Sequence, residues 1–402
     1  MDDCAQPNPQ QRDEPIALRG VTWNHPRGVD SIKRASAEFT KLNPNVTLEW
    51  VARPLHEFED LPLDILAAEF DIMAIDHPFV GDGAEKGALA PLSSLVSARE
   101  LQARSDSYVG SSFASYGWNG DQYALPIDAA CMVSAIRSDI ESKAKAPETW
   151  DEVFEAARTL GRDRVLLTAN HTHLWGTFLS LCEAHSPGVQ TDFVEGPSWW
   201  TPEGIVEDAA IPTLELLREF SALAAQRSFS MDPVQVLDEM SGGGPGVYCP
   251  SVFIYSTYAH ERAERARLSF HDAPRLGPAQ VGTLAGGVGL GIARRSPHAA
   301  VAAEFALFAT SEDLQKGAYS EAGGQPATIS AWADETVNAR AGDLYRQTTA
   351  TMERSFIRPR RKGYPDYQRS AAHLLHDRFL EGAQPMDILR DLNRMWADVV
   401  AS

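Results

Sequence analysis

The sequence predicts an α/β protein of two packed units, and three observations carry that expectation. Its 402 residues exceed the usual reach of one hydrophobic core. Its opening stretch alternates strand and helix patterns in the order of an open parallel sheet. A long apolar strand is then interrupted by Pro126, where the chain is expected to leave the first unit.

The elements follow in order. Ile16 to Trp23 (IALRGVTW) reads as a first strand. Val29 to Leu42 carries Ile32, Ala35, Ser36 and Phe39 at helical spacing. Asn43-Pro44 stops that helix, because proline pushes the residue before it out of the α region. Asn45 to Val51 is β-branched and alternating, a second strand. A helix over Leu61 to Glu69 leads to a third strand, Asp71 to Ile75. The turn Trp118-Asn119-Gly120-Asp121 opens the long strand that carries Pro126. Thr149 and Glu152 form a capping box for the next helix. Trp175 to Ala184 and Thr213 to Gln226 are helical, Val247 to Cys249 is a short strand, and Ser251 to Arg267 reads as helical. Leu284 to Ala293 is a glycine-rich strand, His298 to Phe308 an amphipathic helix, and Tyr367 to Trp396 is helical again.

Charge excludes one class of partner. Fifty-five acidic against 36 basic residues leave a net charge of -19, which repels nucleic acid and anionic lipid. The four basic residues between Arg358 and Lys362 are too few to reverse this. Cys4, Cys131, Cys182 and Cys249 are too dispersed for a zinc site or a disulfide scaffold, so neither metal nor cofactor is expected. Met1 to Glu14 has no basic start and no apolar run, so no export signal is read there. No 18-residue apolar run follows, and no membrane span is expected. Catalytic signatures are also missing: there is no G-x-S-x-G elbow, P-loop, H-E-x-x-H, or G-x-G-x-x-G after the first strand.

Several segments then fall in a familiar order. The first strand and helix end at Phe39 and Asn43-Pro44, and DIMAIDHPFVGDGAEKGALAPL gives a strand, a loop and a helix with a glycine-turn end. NGDQYALPIDAACMVSAIRSDI is followed at once by PETWDEVFEAARTL, the most specific of the set. GGVGLGIARRSPHAAVAAEFALFATSEDLQ and RPRRKGYPDYQ complete it. From Ile16 to Trp396 this order resembles the family 1 extracellular solute-binding proteins, the sugar-binding receptors of ABC importers. One departure is that Ala135 and Arg137 stand near where a tyrosine-asparagine pair is usual.

The resemblance implies a type II periplasmic-binding-protein fold: two doubly wound lobes with a ligand cleft between them. The lobes are expected at 16–127 plus 283–325 and at 128–282 plus 326–402, after a flexible tail over 1–15. It further implies a monomer without catalytic residues, which closes on a sugar, polyol or sugar acid and meets ABC permease subunits in the periplasm or outside the cell. With no export signal read, the cytoplasm stays open as a compartment, and a cytoplasmic sensor or an enzyme on the same fold is the alternative.

Ligands in open α/β sheets sit beyond the carboxyl ends of strands, which selects the candidate site residues. Trp23, Asn24 and His25 end the first strand, although Trp23 also reads as buried and Asn24 as a helix cap. Asp76 and His77 end the third; Asp76 can accept sugar hydroxyls or cap the next helix. Asp128 follows the crossover proline. Trp175 offers a stacking face, while His171 and His173 diverge on a helix and make a poor metal pair. Tyr248, Phe253 and Tyr255 flank a glycine-rich turn and read equally as packing in the second lobe, Gly286 and Gly287 permit close backbone approach, and Gln325 sits at a further crossover. Arg358 can clamp a polyhydroxyl or acidic ligand, or serve a surface ion pair.

Overall fold

The computed structural model describes residues 14–54, 62–141, 145–187, 196–280 and 282–401. Of the tail expected over 1–15, only Glu14 and Pro15 fall among them, and Cys4 and Leu61 lie outside. Strand β1 (Ile16–Trp23) leads into helix α1 (Pro26–Leu42), which ends at Asn43 as expected. Strand β2 (Val46–Arg53), a short helix over Leu63–Ala67 and strand β3 (Ile72–Ile75) follow. Both β2 and β3 pair parallel with β1, which gives the open sheet expected from the sequence.

The hairpin β4 (Gly117–Trp118) and β5 (Asp121–Gln122) precedes β6 (Ala124–Arg137), a strand of 14 residues. Its turn residues Asn119 and Gly120 both have positive φ, 47° and 82°, the backbone an Asn-Gly turn supplies. Helix α2 (Trp150–Leu160) carries the expected capping box, with Thr149 and Glu152 bonding reciprocally. Helix α3 (His171–His185) precedes the hairpin β7 (Trp200–Thr201) and β8 (Gly204–Ile205). After strands β9 (Tyr248–Phe253), β10 (Leu268–His271) and β11 (Ala285–Ile292), the chain is helical, ending in α4 (Tyr364–Leu380) and α5 (Pro385–Ala401).

The main sheet runs β10-β6-β11-β3-β1-β2, with β9 also on β6. Strand β6 serves both halves: Ala124–Cys131 pairs with β11, and Met132–Arg137 with β9 and β10. Proline removes a ladder donor, and the ladder shifts at both prolines in these strands. Opposite Val288 and Gly289, Ile127 is the extra residue beside Pro126, and its carbonyl accepts from Gln315 Nε2 at 2.8 Å. Pro250 and Ser251 together face Ser134.

The region expected to be helical from Ser251 is instead strand to Phe253, then a single turn over Ser256–Tyr258. Val252 and Phe253 pair with Val133 and Met132, and this long-range pairing outweighs the helical spacing of the aromatics.

Among the described residues, the buried apolar side chains form four clusters. Two draw on Leu18 to Ile127 and Val288 to Tyr319, on the two faces of the first part of the sheet. Two others draw on β6 from Ala129 onward, the middle of the chain and the terminal helices. Tyr108 and Val109 belong to this second group, since Val109 N–H bonds the carbonyl of Ala327 at 2.9 Å. Cys131, Cys182 and Cys249 are buried free thiols on β6, α3 and β9. No helix among the described residues is long and apolar enough to cross a membrane.

Candidate functional site

A cavity of about 110 Å³ lies where the two groups of elements face each other. Its first wall is built at the carboxyl ends of the parallel strands. Trp23 closes β1, and Gly28 lets α1 lie flat on its indole, since a Cβ there would sit 2.6 Å from the ring. Asp76 follows β3 and accepts the His77 amide at 2.8 Å, so it caps the short turn and lines the cavity at once.

The opposite wall comes from α3 and α4. Thr172, His173, Trp175 and Gly176 occupy the start of α3, capped by Asn170. Pro365, Gln368, Arg369 and Ala372 lie at i, i+3, i+4 and i+7 on α4, one face of a helix turned to the cavity. Phe253, Tyr255 and the β11 residues Gly286 and Gly287 complete the floor. Gly287 has φ of 116°, and a side chain there would meet the carbonyl of Asp128, so glycine is required.

Arg358 and Arg27, both in the cavity lining, each hold a carboxylate. Arg358 holds both oxygens of Asp76, at 3.0 and 2.8 Å, and bonds Gln368 Oε1 at 2.9 Å. Burial alone would raise the Asp76 carboxyl, but Arg358 and His77 hold it well below the usual carboxylate range. Arg27, in the first turn of α1, bonds Asp128 Oδ2 through Nε at 2.6 Å and Asp128 Oδ1 through Nη2. Its Nη1 reaches the carbonyl of Ile254 at 2.6 Å, and its guanidinium lies 4.6 Å from the Tyr255 ring centre. Burial pushes the Asp128 carboxyl up, against the pull of Arg27. His173 is held down to about 3 by burial and then by His171, so its ring is neutral.

Of the candidates read from the sequence, Trp23, Asp76, Trp175, Tyr255, Gly286, Gly287 and Arg358 line this cavity. The remaining six stand elsewhere. Asn24 is exposed, and His25 caps α1 by accepting the Arg27 amide at 3.1 Å. His77 is buried beside Tyr116. Asp128 is taken up by Arg27, and Tyr248 is wholly buried in the core around α3. Gln325 ties β6 to the 254–256 turn, donating to the Ala129 carbonyl at 2.5 Å and accepting from the Ser256 amide at 3.2 Å. Trp175 has a double role: it is 1% exposed and packs on Phe178, Trp200 and Tyr367 at 5.6 to 6.0 Å.

Sequence reading had weighed Phe253 beside Tyr248 and Tyr255 and had set His173 aside as a metal ligand; it missed Arg27, Gln368 and Arg369. Gln368 and Arg369 had a signal, the polar break in the stripe from Pro365 to Ala372. Arg27 had none, because only the fold brings Asp128 and Ile254 to it.

Residues 23–180 match the family model described as bacterial extracellular solute-binding protein. The maltose-bound MalE3 of T. maritima is similar over 95% of this chain and 99% of its own, at 17% identity and a TM-score of 0.78. UgpB from Mycobacterium tuberculosis in complex with glycerophosphocholine is similar over 97% and 99%, at 18% identity and a TM-score of 0.75. A solute-binding protein from Agrobacterium radiobacter in complex with ribitol is similar over 96% and 99%, at 17% identity and a TM-score of 0.71. The chain therefore has the type II periplasmic-binding-protein fold, two α/β lobes about a cleft, and over residues 23–180 it matches the bacterial extracellular solute-binding proteins.

Proposed function

We propose that this protein is the solute-binding component of an ABC import system and takes a small polyhydroxyl solute, a sugar or polyol, into the cleft. The observation that carries the reading is the composition of the cavity wall. Trp175, Phe253 and Tyr255 offer apolar ring faces, and Asp76, Arg358 and Gln368 bring acceptors and donors to the same space. Sugars present the same combination, apolar ring faces edged by hydroxyls. Similar proteins bind maltose, ribitol and alpha-D-tagatose, which supports this class of solute.

Because Asp76 belongs to the strand ends and Arg358 to the segment before α4, a solute that bonds both would bridge the lobes and favour closure. The cleft does its work by binding alone, with permease subunits as the next partner in the periplasm or outside the cell. The lobe boundaries that suit this reading are 16–127 with 283–325, against 128–282 with 326–402. A thermal-shift screen over sugars, polyols and sugar acids tests it. A specific solute at a hundredfold excess over its Kd adds about 2.7 kcal/mol of stability. Conversion of a bound solute into product would replace this reading with an enzyme.

A further inference from the structure

A second cavity, of about 210 Å³, shares no lining residue with the cleft but is linked to it by the ring contact of its own His25 with Tyr255. One wall is His25 and Pro26 at the start of α1; the other is the helix over Pro233–Ser241 with the segment from Thr257 to Ala266. The His25 ring, 5.0 Å from that of Tyr255 and 6.4 Å from that of Tyr258, stands between the two spaces.

The lining is rich in donors. Ser241 and Thr257 are 2% and 6% exposed, and their hydroxyl oxygens are buried without a hydrogen-bond partner among the described residues. Buried polar groups in folded proteins almost always find a partner, so two orphans on one small cavity call for a ligand. His25 Nδ1 accepts the Arg27 amide, which leaves the ring proton on Nε2. Burial, with Arg27, holds this ring down to about 4, so it is a neutral donor. Arg265 and Tyr258 already share the carboxylate of Asp238, at 2.7 and 3.0 Å. Arg262 lines the cavity and makes no ion pair among the described residues, a cation in a protein of net charge -19.

We propose that this cavity binds an oxyanion, a phosphate or carboxylate group, held by Arg262 and by the hydroxyls of Ser241 and Thr257. The anion is either a free ion or the acidic end of a solute that lies in the adjoining cleft. Hydroxyl and guanidinium donors around one acceptor-rich group are the pairing such groups take. Since the walls come from both lobes, the anion holds His25 of the first against Arg262 of the second and favours closure. The proposal does not depend on which neutral sugar or polyol the cleft takes.

The test is calorimetry on the full chain with inorganic phosphate, then with glycerol phosphate and glycerol. Arg262 is exposed, so Arg262→Gln leaves the fold intact, and Ser241→Ala gives a second variant. Saturable phosphate binding, weakened about tenfold or more in Arg262→Gln, supports a free ion. Glycerol phosphate binding weakened in both variants, with glycerol unaffected, supports an anion carried by the solute. Absence of saturable binding by both anions, or binding unchanged in both variants, overturns the proposal, whatever neutral sugar the cleft takes.

Discussion

Arg358 places one guanidinium nitrogen between the two carboxylate oxygens of Asp76, at 3.0 and 2.8 Å, and so ties the segment before α4 to the end of β3. The Asp76 side chain is 19% exposed and that of Arg358 7%, so water screens the pair only partly. Removing one partner leaves the other charge buried and unmatched. Asp76→Asn is expected to cost about 2–3 kcal/mol in urea unfolding, toward the lower end for a buried pair. The same change is expected to weaken solute binding, measured by calorimetry with a solute from the screen. A variant as stable as the parent, with unaltered binding, would remove Asp76 from both roles.

Acid sensitivity follows from the same carboxylate. Its folded pKa is depressed by Arg358 and His77, although burial opposes them. The contribution is therefore complete above the unfolded value of about 4 and is lost as pH falls toward the depressed one. Between pH 4 and pH 2 the stability of the parent is expected to fall more steeply than that of Asp76→Asn.

Three histidines act in a higher window. Burial, assisted by neighbouring cations, holds His25 at about 4, His77 at about 4 and His173 at about 3. Unfolding frees each to its ordinary value of about 6.5, so the unfolded chain binds more protons below that pH. Stability thus declines as pH falls from 6.5 toward 4. The midpoint of thermal unfolding is expected to drop between pH 7 and pH 5, and His173→Gln to flatten that drop.

Arg27 and Asp128 give a double-mutant test. Both side chains are buried, and Arg27 also bonds the Ile254 carbonyl. Arg27→Met strands the Asp128 carboxylate and is expected to cost about 3–5 kcal/mol. Adding Asp128→Leu should recover much of that loss, which denaturant titration of the single and double variants would measure.

Trp175 needs a gentler probe than truncation. It lies in the aromatic cluster with Trp200 and Tyr367, so Trp175→Ala is expected to cost about 3–5 kcal/mol in stability. Trp175→Phe keeps a ring in that cluster and shortens the face toward the cavity. Its expected signature is weaker solute binding with most of the unfolding free energy retained.

How much of this was legible in the sequence depends on how local the cause is. The capping box at Thr149 and the Asn-Gly turn at Asn119 act within four residues, and the structure has both. Trp23 and Asp76 were found because strand ends are marked by pattern, and parallel strands deliver them to one edge. His25 and Asp128 lay beside the right positions, but other bonds took them: the local helix cap for one, and for the other Arg27, 101 residues away. Tyr248 shows the limit most clearly. Its strand was expected, yet which of its faces met the core depended on pairing with Ile136, more than a hundred residues away.

Strand β6 has a mechanical consequence. Two bodies joined by loose chain swing freely, because such a chain resists neither bending nor rotation. Here the connection is a hydrogen-bonded strand anchored to β11 at one end and to β9 and β10 at the other. Relative rotation of the bodies must twist that strand, and the irregular steps beside Pro126 and Pro250 are where its ladder resists least. The cleft is hung on a torsion bar, with its return force set by backbone pairing far from any solute.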